Sequence, residues 1–383
     1  MAQPKDFGFG EDEAMLRDSV RRFLDENCPV DKLRKIVAAD HHEAYESPVP
    51  PARYDENLWK EMVALGWTAL AVPERAGGAG MKMVAVAALA EELGKHAVPS
   101  PLIATLIATF ALREAGTKEA DAWLGKIAGG ESATVAVTNA AGSWDFEETD
   151  VTAKPQGDGL VLDGVASFVQ DARKASFFVV SARAKEGVGM YVVPADSPGV
   201  TIRPDRIVDL TRDQASVELS GVAVPKGNVV AAAPAGPKAL DKALPAILTV
   251  IAADMGGAGE WQLQTTAEYA KVRKQFDRPI GFFQAVKHPI VNMMLAVDDA
   301  RSQAMNAACA IDTEPDKAEI FARMAKSSAS DAAAFCSNRS VQLHGGIGFT
   351  WECDVQIWFK RQLHNQQLFG DGIYQRAKIA ELL

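Results

Sequence analysis

Arg273-Lys274-Gln275-Phe276-Asp277-Arg278-Pro279-Ile280-Gly281-Phe282-Phe283-Gln284 is the stretch on which the C-terminal half turns. It closes one long helical run, turns on Pro279-Ile280-Gly281 and opens a second. Upstream, residues 240–274 predict a single long helix, with Pro245 expected in its first turns, where a missing N–H is tolerated. Downstream, over 286–311, Val286, Ile290, Met293, Val297, Ala300, Ala304 and Ala308 fall on one helical stripe. Residues 317–343 predict a third helix. Long Ala- and Leu-rich helices joined by short turns predict an antiparallel bundle.

Outward from the bundle the composition changes. Between 133 and about 230, short β-rich stretches at 133–138, 160–162, 176–182, 190–193, 199–203 and 216–224 alternate with turn sequences such as Gly157-Asp158-Gly159 and Asp163-Gly164. That spacing predicts a sandwich or barrel. Residues 11 to about 130 read as helical again. Met15, Leu16, Val20, Phe23 and Leu24 recur at helical spacing, and further helices are expected at 57–65, 83–95 and 103–115. The run Pro73–Gly80, with three glycines, is a loop. The expected fold class is α+β, mainly α. Its expected parts are an N-terminal helical domain (1–131), a middle β-barrel or sandwich domain (132–231) and a C-terminal helical domain (232–383).

The 383 residues carry 40 Lys+Arg against 50 Asp+Glu, a net charge of −10. That balance argues against bulk nucleic-acid binding and against docking on an anionic membrane. No apolar run is long enough to span a bilayer. Met1–Glu13 is polar and acidic, unlike a signal peptide. Cys28, Cys309, Cys336 and Cys353 are scattered, form no C-x-x-C pair and have no histidines at ligand spacing. They are expected as free thiols in a reducing cytoplasm, with no metal site. His41-His42 has no partner ligand nearby.

Two clusters bear on chemistry. In the first, Arg273 beside its turn can grip a phosphate with a bidentate fork, or can be a charged helix end. The second is Gln342-Leu343-His344-Gly345-Gly346-Ile347-Gly348-Phe349-Thr350. Its glycines let a backbone approach and cradle a ligand, or they form a helix C-cap and tight turn. The pair in this order is more informative than either alone. His344 is expected as a packing histidine, Met293-Met294 as core, and Trp351 and Trp358 as packing a helix after the loop.

With these motifs the chain resembles the acyl-CoA dehydrogenase family over nearly its whole length. The marks are Pro73–Gly80 followed by Glu91-Glu92-Leu93-Gly94, the R-x-x-F-x-x-P-I-G…F-Q run at 273–284 and the Q-L-H-G-G-x-G-F run at 342–349. The resemblance implies an N-terminal helical domain, a middle β domain and a C-terminal four-helix bundle. It implies FAD as cofactor, oxidation of acyl-CoA thioesters across Cα–Cβ to the trans-2-enoyl-CoA, and electron-transfer flavoprotein as acceptor. Arg273, Phe276, Gln284, Gln342, Gly345 and Gly346 are the implied FAD contacts, with Thr138, Ser143 and Gln170 in the two flavin loops. In the family the arginine and Gln-x-x-Gly-Gly positions reach the FAD of a neighbouring subunit, so an oligomer is implied.

The chain departs from the family at its chemistry. The first flavin loop, Thr138-Asn139-Ala140-Ala141-Gly142-Ser143-Trp144-Asp145, lacks the family's Glu and is out of step by one residue. The second, Phe168-Val169-Gln170-Asp171, places Gln where the family has a flavin-bonding Thr. Removing the α-proton of a thioester needs a positioned carboxylate. Where the family carries Glu, this chain has Gly370, with Asp371 beside it; at the family's alternative position, about 247, stands Ile247. Asp371 is the candidate base, or a helix N-cap. The Leu368-Phe369-Gly370-Asp371 ending resembles the small subunits of two-component acyl-CoA dehydrogenases of the pimeloyl-CoA or steroid-CoA type. Two readings follow: an FAD-dependent dehydrogenase subunit working as a homo-oligomer or with a larger subunit, and a non-catalytic small subunit completing its partner's FAD site.

Overall fold

The computed structural model describes residues 4–38, 45–47, 49, 51–157 and 159–383. His41-His42 and Asp158 lie outside them. The chain divides into two compact units.

One unit, Val37–Lys82 with Pro99–Ile247, holds the sheet. Helices α3 (Glu56–Ala64), α5 (Leu102–Ala115) and α6 (Lys118–Ala128) precede strands β1 (Ala133–Ala136), β2 (Thr152–Gln156), β3 (Gly159–Gln170), β4 (Phe177–Ala184), β5 (Gly187–Pro194), β6 (Val200–Pro204), β7 (Gln214–Val224) and β8 (Val229–Ala231). The eight strands form one sheet in the order β6-β7-β3-β2-β4-β5-β8, with β1 paired in parallel to β4. The path ends at β6 and β8 without closing among the described residues, so the sheet is open and not a closed barrel. In β4, Phe177, Phe178, Val179 and Val180 are all fully buried. A strand covered on both faces reads as a continuous apolar run. Phe178 and Val180 join the main sheet core with Leu162, Val217 and Val222, while Phe177 meets Trp123 of α6 at 4.8 Å between ring centroids.

The other unit, Met1–Ile36 with Met83–Val98 and Leu248–Leu383, is helical. It contains α1 (Glu11–Asn27), most of α2 (Val30–Ala38) and α4 (Met83–Lys95). It also holds the C-terminal part of α7 (Gly236–Val272), α8 (Gln284–Thr313), α9 (Ala318–His344), α10 (Val355–Gln367) and α11 (Gly372–Leu382). The expected long helices are present, but α7 starts at Gly236, so Pro245 lies inside it and not in its first turns. Of the methionine pair, only Met293 is core; Met294 is 42% exposed. Adjacent helix residues point about 100° apart, so both cannot face the same core. Trp358 is fully buried in α10 and stacks on Trp261 of α7 at 3.4 Å.

The Glu91-Glu92-Leu93-Gly94 motif is explained by packing. Buried Glu91 accepts from Arg301 and buried Glu92 from Arg21, each at 2.6 Å. A Cβ at Gly94 would strike the carbonyl of Asp254, and one at Gly257 the carbonyl of Glu91. Helices α4 and α7 therefore cross backbone to backbone, which two glycines permit. No described helix is long and apolar enough to cross a membrane.

Candidate functional site

Arg273 follows the last residue of α7. Its N–H donates to the Tyr269 carbonyl at 2.9 Å, and its own carbonyl accepts from Ile280 at 2.8 Å. Between them is a minimal hairpin, β9 (Lys274–Gln275) with β10 (Arg278–Pro279). Its central residues, Phe276 and Asp277, have φ of 52° and 60°. Positive φ at both central positions is the pattern of the type I′ turn. The turn lifts Phe276 to 83% exposure, with its ring edge-on to Phe283 at 6.0 Å. Gly281 packs the returning chain against the Ala270 carbonyl. Gln284 then opens α8 at the surface.

The second cluster ends α9. Gly345 has φ of 67° and its N–H donates to the Gln342 carbonyl. The three glycines of the loop differ. Gly348 is buried, and a Cβ there would crowd the Val341 carbonyl, so it serves packing. Gly345 and Gly346 are exposed, and a Cβ at either would meet nothing within 4 Å.

Tyr269 ties the two clusters together. It lies one turn before Arg273, stacks on the His344 imidazole with ring centroids 4.3 Å apart, and its hydroxyl donates to the His344 carbonyl at 3.4 Å. His344 Nδ1 lies 2.8 Å from the Ser340 carbonyl oxygen, so Nδ1 carries the proton. Burial pushes the His344 pKa below its ordinary value, so the ring is neutral at pH 7. Sequence reading passed over Tyr269; its place one helical turn from Arg273 was the available clue.

Thr138, Ser143 and Gln170 lie in the sheet-bearing unit, where the segment after β1 lies against the C-terminal part of β3. The Thr138 carbonyl accepts from Ser167 at 2.9 Å, and Gly142 faces the Phe168 ring. The Asn139 side chain accepts from the Ser143 N–H at 3.0 Å, and Ser143 Oγ accepts from the Asp145 N–H at 3.2 Å. A bulge interrupts the ladder between Ala166 and Val169, with Phe168 at φ 56°. Gln170 Nε2 donates to the Phe168 carbonyl and, at 2.9 Å, to Gln214 Oε1; Gln214 in turn donates to Asp205. Both Gln170 amide hydrogens therefore have partners within the sheet.

Asp371 is the N-cap of α11, its Oδ1 accepting from the Tyr374 N–H at 2.9 Å. Among the described residues no hydrogen bond joins it to Arg273 or to the Gly345 bend. Gly370 has φ of 90°, and a Cβ there would strike the Tyr374 ring. Two buried side chains clamp this corner. Lys326 Nζ donates to the carbonyls of Gln366 at 3.1 Å and Gly370 at 2.9 Å, and Gln375 donates to Phe369 at 2.5 Å. Burial pushes the Lys326 amine down to about 7, against the opposing pull of Asp371. Ile247 is fully buried.

An FAD diphosphate needs cationic and N–H donors on an open backbone. The Arg273 guanidinium has no ion-pair or hydrogen-bond partner among the described residues, and open space lies over Gly345 and Gly346. The residues of the helical unit fit such a group.

Three family models account for most of the chain: the acyl-CoA dehydrogenase N-terminal domain over residues 10–131, its middle domain over 134–221 and its C-terminal domain over 241–383. The chain belongs to the acyl-CoA dehydrogenase family. The acyl-CoA dehydrogenase IpdE2 of Mycobacterium tuberculosis is 32% identical over 359 residues, covering 94% of this chain and 93% of that protein. Two solved structures superpose over nearly the full length. A single-substitution variant of the Tcur3481-Tcur3483 steroid acyl-CoA dehydrogenase has a TM-score of 0.85 at 29% identity, covering 98% of each chain. The ChsE4-ChsE5 complex from Mycobacterium tuberculosis has 0.86 at 26%, also covering 98% of each.

Proposed function

We propose that this chain is the base-lacking small subunit of a two-component, FAD-dependent acyl-CoA dehydrogenase. The observation that carries the reading is the Phe369-Gly370-Asp371 corner. At Gly370 the backbone conformation and the Tyr374 ring both exclude a side chain, and Asp371 spends its Oδ1 capping α11. Buried Ile247 cannot take a proton. Of these three positions only Asp371 carries a carboxylate, and one of its two oxygens caps α11.

On this reading Arg273 binds the FAD diphosphate and the open backbone at Gly345 and Gly346 lines its path. Gln284, Gln342 and Phe276 take up the rest of the dinucleotide. Bound FAD would supply the hydride acceptor for oxidation of Cα–Cβ to the trans-2-enoyl-CoA. A larger acyl-CoA dehydrogenase chain would supply the carboxylate, and electron-transfer flavoprotein would take the electrons. The family pattern assigns Thr138, Ser143 and Gln170 to the flavin loops, and the Gln170 amide hydrogens are turned into the sheet. The steroid acyl-CoA dehydrogenase and the ChsE4-ChsE5 complex among the similar structures support a bulky, polycyclic acyl-CoA as substrate and an oligomer with a partner subunit, read here as a heterotetramer. The bacterial relatives support the cytoplasm as its place.

The test compares the purified chain with the same chain co-expressed with a base-bearing acyl-CoA dehydrogenase subunit from its own genome. Flavin absorbance and oxidation of a steroid acyl-CoA are expected in the co-expressed pair, and no oxidation by the chain alone. Turnover by the isolated chain would overturn the small-subunit reading.

A further inference from the structure

We propose that Tyr269 is the positioning residue that sets the spacing between the Arg273 turn and the Gly345–Gly346 bend. The inference rests on the dinucleotide reading above and adds what makes that grip a single site. Arg273 and Gly345 sit at the ends of different helices, α7 and α9, and helix ends fray independently unless something joins them. Tyr269 touches both. Its carbonyl receives the Arg273 N–H, its ring covers His344, and its hydroxyl holds the carbonyl that immediately precedes Gly345.

The joint has a fixed geometry on each side. His344 is buried, neutral and anchored through Nδ1 to Ser340, so the ring beneath Tyr269 cannot swing freely. On the α7 side, Gly281 seats the returning chain on the Ala270 carbonyl, one residue from Tyr269. Arg273 is thus held from both arms of its turn. A dinucleotide that meets Arg273 and packs along the open Gly345–Gly346 backbone needs the two at constant separation, and small misplacements cost affinity steeply.

The experiment uses the full-length chain, alone and in its co-expressed pair. FAD and ADP are titrated well below the melting temperature of each variant. Tyr269→Phe keeps the ring and is expected within about threefold of wild type, having lost one long hydrogen bond. Tyr269→Ala is expected to weaken both ligands about tenfold or more. The decisive readout is coupling. Arg273→Ala should cost much less in the Tyr269→Ala background than in wild type, because the two groups no longer act on one ligand together. A purely structural tyrosine would lower the melting temperature and leave the Arg273 effect intact, which overturns the assignment. The exchange Tyr269→His with His344→Tyr, which rebuilds a stacked pair, should recover part of the affinity. A wild-type chain and pair that take up neither ligand would overturn the flavin reading and this assignment together. Wild-type binding with full affinity in Tyr269→Ala would overturn the assignment alone.

Discussion

At the scale of single residues, the corner after α10 shows how a glycine becomes a fixed feature. Gly370 is at φ 90° with its α-hydrogen side filled by Tyr374, so Gly370→Ala combines backbone strain with overpacking. A loss of about 2–4 kcal/mol is expected in urea unfolding. Lys326, clamped beneath the same corner, makes a pH prediction. Its amine titrates near 7 when folded and near 10.5 in the ordinary state. Between those values the unfolded chain binds the proton more strongly, so the burial penalty is complete below about 7 and fades as pH rises towards 10.5. Lys326 therefore contributes a stability that rises with pH across that window, with a slope of up to about 1.4 kcal/mol per pH unit. Lys326→Met should remove this contribution from the curve measured between neutral and alkaline pH; an unchanged curve would contradict the buried-amine account. The sequence singled out the glycines and the arginine, but not that Gly348 packs while Gly345 and Gly346 stay open. That division depends on which loop atoms face a neighbour, which no spacing rule contains.

At the scale of elements, legibility followed the strength of the period. Helices α4, α5, α8 and α9 were expected within a few residues, because their apolar positions repeat over many turns. The expectations left out α2, α6, β2 and β8. Pro155 and three exposed polar residues hide β2, whose ladder to β3 holds despite the missing donor. Gly125 interrupts α6, while the helix N-cap reading of Asp371 matches the start of α11. The sandwich-or-barrel expectation found the strands but not the open path, because closure depends on pairing between distant strands and leaves no local trace. The α4–α7 crossing is testable here. Gly257→Ala should destabilise the full chain by at least about 1–3 kcal/mol, since the new methyl meets the Glu91 carbonyl of another helix and not a flexible side chain. Wild-type stability in urea unfolding would mean that the helices separate more readily than their backbone contact implies.

At the scale of the whole molecule, the proposal assigns ligand contact to one exposed surface and no base to another position. The Arg273 turn and the Gly345 bend are exposed and joined through Tyr269. The Gly370 position is side-chain-free and clamped from within by Lys326 and Gln375. Family membership was legible because its motifs survive; the proposed division of labour was legible only as a missing Glu, and the structure adds that a side chain at Gly370 would meet the Tyr374 ring. Arg273→Ala is expected to lower FAD affinity of the assembled pair about tenfold or more by removing a charge-assisted contact to phosphate, read by flavin retention on dilution. The account's central claim, that this chain supplies grip and no base, is tested most directly by Asp371→Asn in the co-expressed pair. The rate at which acyl-CoA bleaches the bound flavin without oxygen should match that of the wild-type pair. A bleaching rate reduced by several orders of magnitude, with flavin content and thermal stability unchanged, would make Asp371 the base and contradict the account.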